Sequence, residues 1–147
     1  MDSCNNALPY LKQSRGLIVA ISSLCGKTGV PTRCGYVASK HAMQGFFDTL
    51  RIELSPYGID VLVVSPGYVA TDIRQRALNG KGETLGQSNR NEDRNTMSLE
   101  DCTQQIMKGI SRRQREVVMT PKGKLIQLGK LLVPKFLDRL SAKAASR

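Results

Sequence analysis

Three polar side chains in one short stretch have the types and spacing that proton transfer requires. The stretch from Ile21 to Lys40 reads ISSLCGKTGVPTRCGYVASK and contains Ser23, Tyr36 and Lys40. Tyr36 and Lys40 are four positions apart, so on a helix their side chains would lie on one face, one turn apart. A cation held beside a phenol favours the phenolate, which makes a tyrosine usable as an acid or base near neutrality. The pair therefore indicates general acid/base catalysis.

The serine depends on the segment before it for its position. Leu17 to Ile21 (LIVAI) is a short apolar run that predicts a buried strand covered on both faces. Open parallel sheets bind ligands at the carboxyl ends of their strands, which is where Ser23 would lie. Strand alternation would turn Ser22 to the opposite face. Taken singly, a Tyr/Lys pair is an ordinary helix-surface pair and a serine after a strand is a turn former, so only the joint pattern is specific.

Hydrophobic periodicity predicts the remaining elements. Apolar residues recur every three or four positions in the segment that carries Tyr36 and Lys40, which is typical of an amphipathic helix. The predicted elements are a helix end at Pro9–Gln13, strand Leu17–Ile21, loop Leu24–Gly35, helix Tyr36–Leu54, strand Ile59–Val64, a helix capped by Ser98, strand Glu116–Met119, and a tail from Lys122 whose second helix begins at Pro134. This alternation predicts an α/β fold, a partial Rossmann-like, doubly wound parallel sheet of about three strands with flanking helices.

Composition limits the class of protein. The chain has 147 residues, enough for one domain, and is 40% hydrophobic without tryptophan. No apolar run approaches the roughly 18 residues of a transmembrane helix, and no secretory signal pattern is visible, so we expect a cytoplasmic location. The four cysteines have no C-x-x-C spacing and His41 is the single histidine, so we expect reduced thiols and no metal site.

The positive charge is concentrated at the carboxyl end of the sequence. Of the net +10, the segment from Ser111 to Arg147 contributes ten Lys or Arg against two acids. Such a basic tail (122–147) is either a solvated helix face or a surface that contacts an anionic membrane; we do not expect a nucleic-acid partner.

Several motifs together resemble a known family. They are ISS at 21–23, Gly26, Gly29, Pro31, YVASKHAMQGFFDTLRIEL at 36–54 and VLVVSPGYVATDI at 61–73. From about Leu8 to Ile73 the chain resembles the C-terminal half of a short-chain dehydrogenase/reductase, and within that family the subgroup of the dehydrogenase/reductase member 7 type and similar bacterial reductases. Ser23 lies thirteen residues before Tyr36, which matches the Ser…Tyr-x-x-x-Lys pattern.

The resemblance implies catalytic roles. Tyr36 would exchange a proton with a carbonyl or alcohol substrate, and Ser23 would polarise the substrate oxygen. Lys40 would favour the phenolate and bind the nicotinamide ribose. Cys25 would line the substrate pocket, or would only fill the loop, and we expect a structural role for His41.

The resemblance also implies a cofactor, NAD or NADP, between which the sequence does not discriminate. The turn at Pro66 and Gly67 would lie beside the nicotinamide, while the backbone of Val69 and the hydroxyl of Thr71 would hold its carboxamide. Residues 74–96 correspond to the substrate-binding loop. A homo-oligomer through the 36–54 helix is the further expectation.

One part of a dinucleotide site is not found in this sequence. Pyrophosphate binds at a glycine-rich turn, TGxxxGxG in this family. KTGVPTRCG cannot replace it, because it follows a later strand and contains a proline where the phosphate turn needs free amides. The Asn5-Asn6 pair fits neither the family's NNAG motif nor its catalytic asparagine, because it runs into the helix end with no strand between. We expect that turn upstream of Met1, which would make the chain a single N-terminally truncated domain that binds cofactor poorly alone. The alternative is a fragment without catalytic competence that acts through its dimerisation helices or its basic tail.

Overall fold

A computed structural model describes residues 2–71, 76, 82–84 and 96–145 of the chain. The elements, in chain order, are α1 (Asp2–Ser14), β1 (Leu17–Ile21), α2 (Cys34–Leu54), β2 (Asp60–Ser65), α3 (Leu99–Ser111), β3 (Glu116–Val118), α4 (Pro121–Leu132) and α5 (Pro134–Ala145), with short 3-10 turns at Leu24–Gly26 and Ser55–Tyr57. The predicted order of helices and strands is confirmed. The boundaries differ by one or two residues, and α2 already begins at Cys34. Most of the predicted 74–96 loop lies outside the described residues.

The three strands form one parallel sheet in the order β1-β2-β3. Leu17 pairs with Asp60 and Ile21 with Val64, while Val63 pairs with Glu116. The central strand β2 is buried from Val61 to Ser65. Its unbroken apolar run is therefore explained by burial on both faces of a parallel sheet.

Helices cover both faces of the sheet. Successive β2 side chains point to opposite sides, so alternate residues of the strand pack against different helices. Leu62 and Val64 pack with Cys102 of α3 and with Met119. Val61 and Val63 face the other side, where α2 packs on β2. Burial raises the pKa of the Cys102 thiol, whose Sγ lies 3.6 Å from Sδ of Met119. This sulfur is thus part of the core and stays protonated.

Strand β1 is confirmed, but it is less buried than its apolar run predicts. Ala20 is its one buried residue, and the side chain of Ile21 is 47% exposed. Within the described residues β1 pairs with β2 alone, so its other edge has no strand beside it. Ile21 is therefore exposed because β1 has a neighbouring strand on one side only in this part of the chain. Its apolar side chains are buried incompletely at such an edge.

Side chains of α2 fix that helix to the sheet. Nε of Arg51 donates to the carbonyl of Val61 at 2.9 Å, and its guanidinium also bonds the carbonyl of Arg115 and the carboxylate of Asp48. Burial raises the pKa of Asp48, but hydrogen bonds from Arg51 and Gln44 and the charges of Arg51 and Arg115 outweigh it, so the pKa is lowered overall. Asp48 therefore stays ionised and orients Arg51.

The tail folds as the two helices that its sequence predicts. Thr120 caps α4 by accepting from Gly123 N–H at 3.0 Å, and Pro134 begins α5. A Cβ on Gly129 would lie 3.0 Å from Cδ1 of Leu137, so the two helices cross at this close contact. Within the described part of the chain, no helix combines the length and apolar character needed to cross a bilayer.

Candidate active site at the carboxyl ends of the strands

Ser23 lies where the sheet ends and a tight turn begins. The N–H of Ser22 donates to the carbonyl of Val64 at 2.7 Å, and the N–H of Leu24 donates to that of Pro66 at 3.0 Å. These bonds carry the β1–β2 pairing beyond the last residue of β1. Oγ of Ser23 accepts from the N–H of Cys25 at 3.2 Å and so caps the turn at Leu24–Gly26. A hydroxyl that accepts in this way keeps its own hydrogen for a further acceptor.

Tyr36 and Lys40 lie on one face of α2, as their spacing predicts. Nζ of Lys40 lies 5.7 Å from the centroid of the Tyr36 ring. The same Nζ donates to the carbonyl of Ile21 at 3.5 Å, a long hydrogen bond that directs the ammonium toward the end of β1. Tyr36 is 46% exposed and therefore accessible to a ligand. Helix α2 thus brings a phenol and a cation to the strand end that precedes Ser23.

The segment after β2 lies beside the Ser23 turn. A Cβ on Gly67 would be 3.4 Å from Cδ1 of Leu24 and 3.0 Å from Cγ2 of Thr120, so a bare glycine suits this close packing. The Pro66–Leu24 hydrogen bond holds the two segments in register. The structure therefore brings the predicted catalytic and cofactor-binding segments to one edge of the sheet.

Val69 presents its backbone away from the residue that it pairs with. It forms an isolated parallel bridge with Met97, in which Ala70 N–H donates to the Met97 carbonyl and Met97 N–H donates to the Tyr68 carbonyl, each at 2.9 Å. In this pattern the N–H and C=O of Val69 point away from Met97. Thr71, the other predicted carboxamide contact, is exposed.

An open cavity of about 410 Å³ adjoins Tyr36 and is lined by residues 32–36. Ser23 and Cys25 are not among the residues that line this cavity. The sequence reasoning missed the contribution of Thr32, Arg33 and Cys34. These residues could have been identified from the sequence because they directly precede Gly35 and Tyr36. They belong to a loop in which Thr32 has a positive φ of +65°.

The hydroxyls of Ser22 and Ser65 lie near the site but are buried. Ser22 and Ser65 follow the paired residues Ile21 and Val64, so they are neighbours across the two strands. Oγ of each is buried with no hydrogen-bond partner among the described residues. Ser22 is thus enclosed, and its orientation to the opposite face stays a prediction. His41 lies within hydrogen-bonding distance of the Val37 carbonyl, at 3.0 Å from Nδ1.

Of the predicted 74–96 substrate-binding loop, the structure describes 76, 82–84 and 96, so its role stays a prediction. Among the residues that are described, no three His, Cys, Asp or Glu side chains cluster in a way that could hold a metal ion.

Known proteins resemble this chain along most of its length. The family model for short chain dehydrogenase matches residues 1–82. The chain is 37% identical over 139 residues to dehydrogenase/reductase SDR family member 7B of Xenopus laevis, an alignment that covers 93% of this chain and 43% of that protein. The chain thus spans less than half the length of this relative.

Solved structures show the same fold. The chain is similar to a short chain dehydrogenase from Burkholderia cenocepacia in complex with NADP, with a TM-score of 0.69 and 21% identity over 90% of this chain and 50% of that one. It is also similar to a short-chain dehydrogenase from Sphingobium yanoikuyae in complex with NADPH, with a TM-score of 0.58 and 24% identity over 94% of this chain and 47% of that one. The sheet and its helices are therefore part of a Rossmann-like fold.

Proposed function

The chain belongs to the short-chain dehydrogenase/reductase family, and on this premise we propose that it carries the proton-transfer site of an NAD(P)-dependent oxidoreductase. The substrate class would be a small carbonyl compound, or an alcohol in the reverse direction. The observation that carries the proposal is the position of Lys40 Nζ, 5.7 Å from the Tyr36 ring and within 3.5 Å of the carbonyl that ends β1.

Each catalytic side chain has a distinct task in this proposal. Tyr36 donates its phenolic proton to the substrate oxygen in reduction and accepts a proton from the hydroxyl in oxidation. Lys40 holds a positive charge beside the ring, which favours the phenolate left behind. Ser23 donates its hydroxyl hydrogen to the same substrate oxygen, because its Oγ already accepts from Cys25 N–H.

The described residues fit the nicotinamide end of such a cofactor. When bound, NAD or NADP would supply or accept the hydride. Pro66 and Gly67 would border the nicotinamide, and the outward backbone of Val69, with the Thr71 hydroxyl, would hold its carboxamide. Tyr36 and Lys40 would bind the ribose. A glycine-rich pyrophosphate turn is not among these 147 residues, so the proposal is limited to this end of the cofactor.

The test uses the chain by itself and a chimera in which it replaces the matching segment of the frog relative. We would measure NADH and NADPH binding by fluorescence, then turnover on a panel of aldehydes and ketones. Tyr36→Phe should lower kcat/KM by about 10²- to 10⁴-fold, since it removes the transferred proton. Lys40→Met should also weaken cofactor binding.

The matched control is Tyr10→Phe, which removes the same hydroxyl from an exposed tyrosine of α1. It should leave turnover unchanged. Turnover by a correctly folded Tyr36→Phe protein at the rate of the unaltered protein would show that the proposed acid/base role is wrong. If both Tyr36→Phe and Lys40→Met bound nucleotide as tightly as the unaltered protein, the proposed contacts of these side chains with the ribose would be wrong.

A second candidate function, self-association, is favoured by one face of α2. Ala38, Ala42, Gly45 and Thr49 are exposed and recur every three or four residues, so they form a single smooth face. A Cβ on Gly45 would meet no atom within 4 Å. A second copy of α2 could approach closely here, with the catalytic residues on another side of the helix.

Sedimentation velocity would test this association. Ala42→Arg should convert a dimer to a monomer, because a long charged side chain would stand in the middle of the face. Gln104→Arg, on an exposed position of α3, adds the same charge elsewhere and should have no effect. A monomeric unaltered chain, in isolation and in the chimera, would exclude this candidate.

A further inference from the structure

Several large apolar side chains of the α4–α5 hairpin are exposed to solvent. Leu131 is 81% exposed and Phe136 is 59% exposed. We call the full set the tail surface; it consists of Leu125, Leu131, Leu132, Val133, Phe136 and Leu140. A group of exposed large apolar side chains on one hairpin is typical of a contact site rather than of scattered surface residues.

The geometry of the hairpin explains why these side chains point outward. Leu137 packs on Gly129, so the two helices use their inner faces on each other. Leu125 and Leu132 are seven residues apart on α4 and therefore share a face. Phe136 and Leu140 are four apart on α5 and share another. Val133, at the connection between the two helices, is also exposed.

Basic residues border this surface. Lys124, Lys130, Lys135 and Arg139 are all exposed. On α5, Arg139 lies three residues from Phe136 and one from Leu140, close to the apolar face. Asp138 is the single acid between 121 and 145, and its position two residues after Phe136 turns it away from that side chain. The tail surface is thus apolar at its centre and cationic at its rim.

We propose that the tail surface docks on a lipid surface that carries anionic headgroups. The leucines and Phe136 enter the boundary between headgroups and acyl chains, while the surrounding lysines and arginine contact lipid phosphates and carboxylates. Helices that lie in the plane of a membrane combine an apolar face with a basic one in this way. The hairpin lies on the bilayer and does not cross it, since neither helix is long enough.

The charge distribution favours lipid over other occupants. A second copy of the tail surface would bring two cationic rims together in the same contact, which like-charge repulsion opposes. Nucleic acid would neutralise the lysines but would leave the exposed leucines in water, because base edges and phosphates offer them no apolar partner. An anionic bilayer satisfies both the rim and the centre.

The docking surface is connected to the candidate active site through the first turn of α4. A Cβ on Gly123 would collide with Cδ2 of Leu24, so α4 is in close contact with the turn that follows Ser23. The adjacent Thr120 contacts Gly67. Docking would therefore hold the mouth of the site near the lipid surface, although the proposal does not depend on the site being catalytic.

The experiment is co-sedimentation of the whole 147-residue chain with vesicles. One set is phosphatidylcholine alone, and the other contains about 30% phosphatidylserine. The chain should bind the anionic vesicles at least about tenfold more tightly, and raised salt should weaken that binding. Leu131→Ser/Phe136→Ser should lower the affinity by about tenfold or more through lost apolar insertion, and Lys135→Glu/Arg139→Glu should do so through lost attraction.

Matched controls come from α3, where Met107 is an exposed apolar residue and Lys108 an exposed cation. Met107→Ser and Lys108→Glu should bind as the unaltered chain does, and circular dichroism would establish that every variant is folded. Four results would overturn the proposal: no vesicle binding, equal binding to neutral vesicles, binding unchanged by both tail variants, or a lipid-free dimer that Leu131→Ser/Phe136→Ser dissociates. Binding to duplex DNA that only the charge variant abolishes would assign the surface to nucleic acid instead.

Discussion

The backbone of Gly26 meets the backbone of Lys40 so closely that a Cβ on Gly26 would lie 2.8 Å from the Lys40 carbonyl oxygen. Gly26 ends the turn that Ser23 caps, and Lys40 is one helical turn after Tyr36. The contact therefore fixes the Ser23 turn against the helix that carries the other two candidate catalytic residues. Because the Lys40 oxygen is part of the α2 backbone, it cannot move aside as a flexible side chain would.

Gly26→Ala should separate these two segments. The added methyl group would push the turn from α2, at a cost in the free energy of unfolding of about 1 to 3 kcal/mol, and would displace Ser23 relative to Tyr36. Turnover in the chimera should fall at least about tenfold. Gly29→Ala is the matched control, since its Cβ would meet nothing within 4 Å. Equal activity of the two variants would contradict the structural coupling.

The lowered pKa of Asp48 predicts how stability depends on pH. Its stabilising effect is present above the pKa of an unfolded aspartate, about 3.9, and disappears as pH falls through the lower pKa of the folded state. Asp48→Asn should therefore be less stable at pH 7, by no more than about 1 kcal/mol because the pair is partly exposed. Urea unfolding from pH 7 to pH 2 would measure this difference, which should vanish at the acid end. A constant difference across the range would contradict the ionic role.

Ser65→Ala should stabilise the fold. Ser65 is fully buried at the end of β2, and its Oγ has no partner among the described residues. Replacing an unpartnered hydroxyl by a methyl group removes a desolvation cost of about 1 kcal/mol or more. Thermal and urea unfolding would detect the gain. Val63→Ala, which removes apolar volume from the same buried strand, should have the opposite sign. A loss of stability in Ser65→Ala would mean that the hydroxyl is hydrogen-bonded in solution.

Thiol labelling should separate the cysteines by their surroundings. Cys34 is exposed beside Tyr36, Cys25 is half-buried, and Cys102 is buried with a raised thiol pKa. The thiolate is the reactive form, so Cys102 should resist alkylation until the protein unfolds, whereas Cys34 should react first of these three. Peptide mass spectrometry at increasing labelling times would give the order, and Cys34→Ser should remove the earliest product among the peptides of these three cysteines. Fast labelling of Cys102 in the native protein would contradict its place in the core.

The sequence by itself was sufficient for the features that depend on local spacing. Alternating apolar runs and periodic segments predicted the order of strands and helices and the parallel sheet, because each pattern reports which side of one element is buried. The four-residue spacing of Tyr36 and Lys40 placed them on one helix face, and Ser98 was correctly predicted as a cap, with Oγ accepting from Asp101 N–H at 3.0 Å.

Tertiary structure decided how these elements meet. The near-contact of Gly26 with Lys40, the bridge between Val69 and Met97, and the exposure of Ile21 each join or separate segments that are distant in the chain. A local pattern shows that a strand requires cover but not which element supplies it. Only packing in three dimensions determines that β1 pairs on one side alone among the described residues, and that the apolar side chains of the tail remain at the surface instead of joining the core.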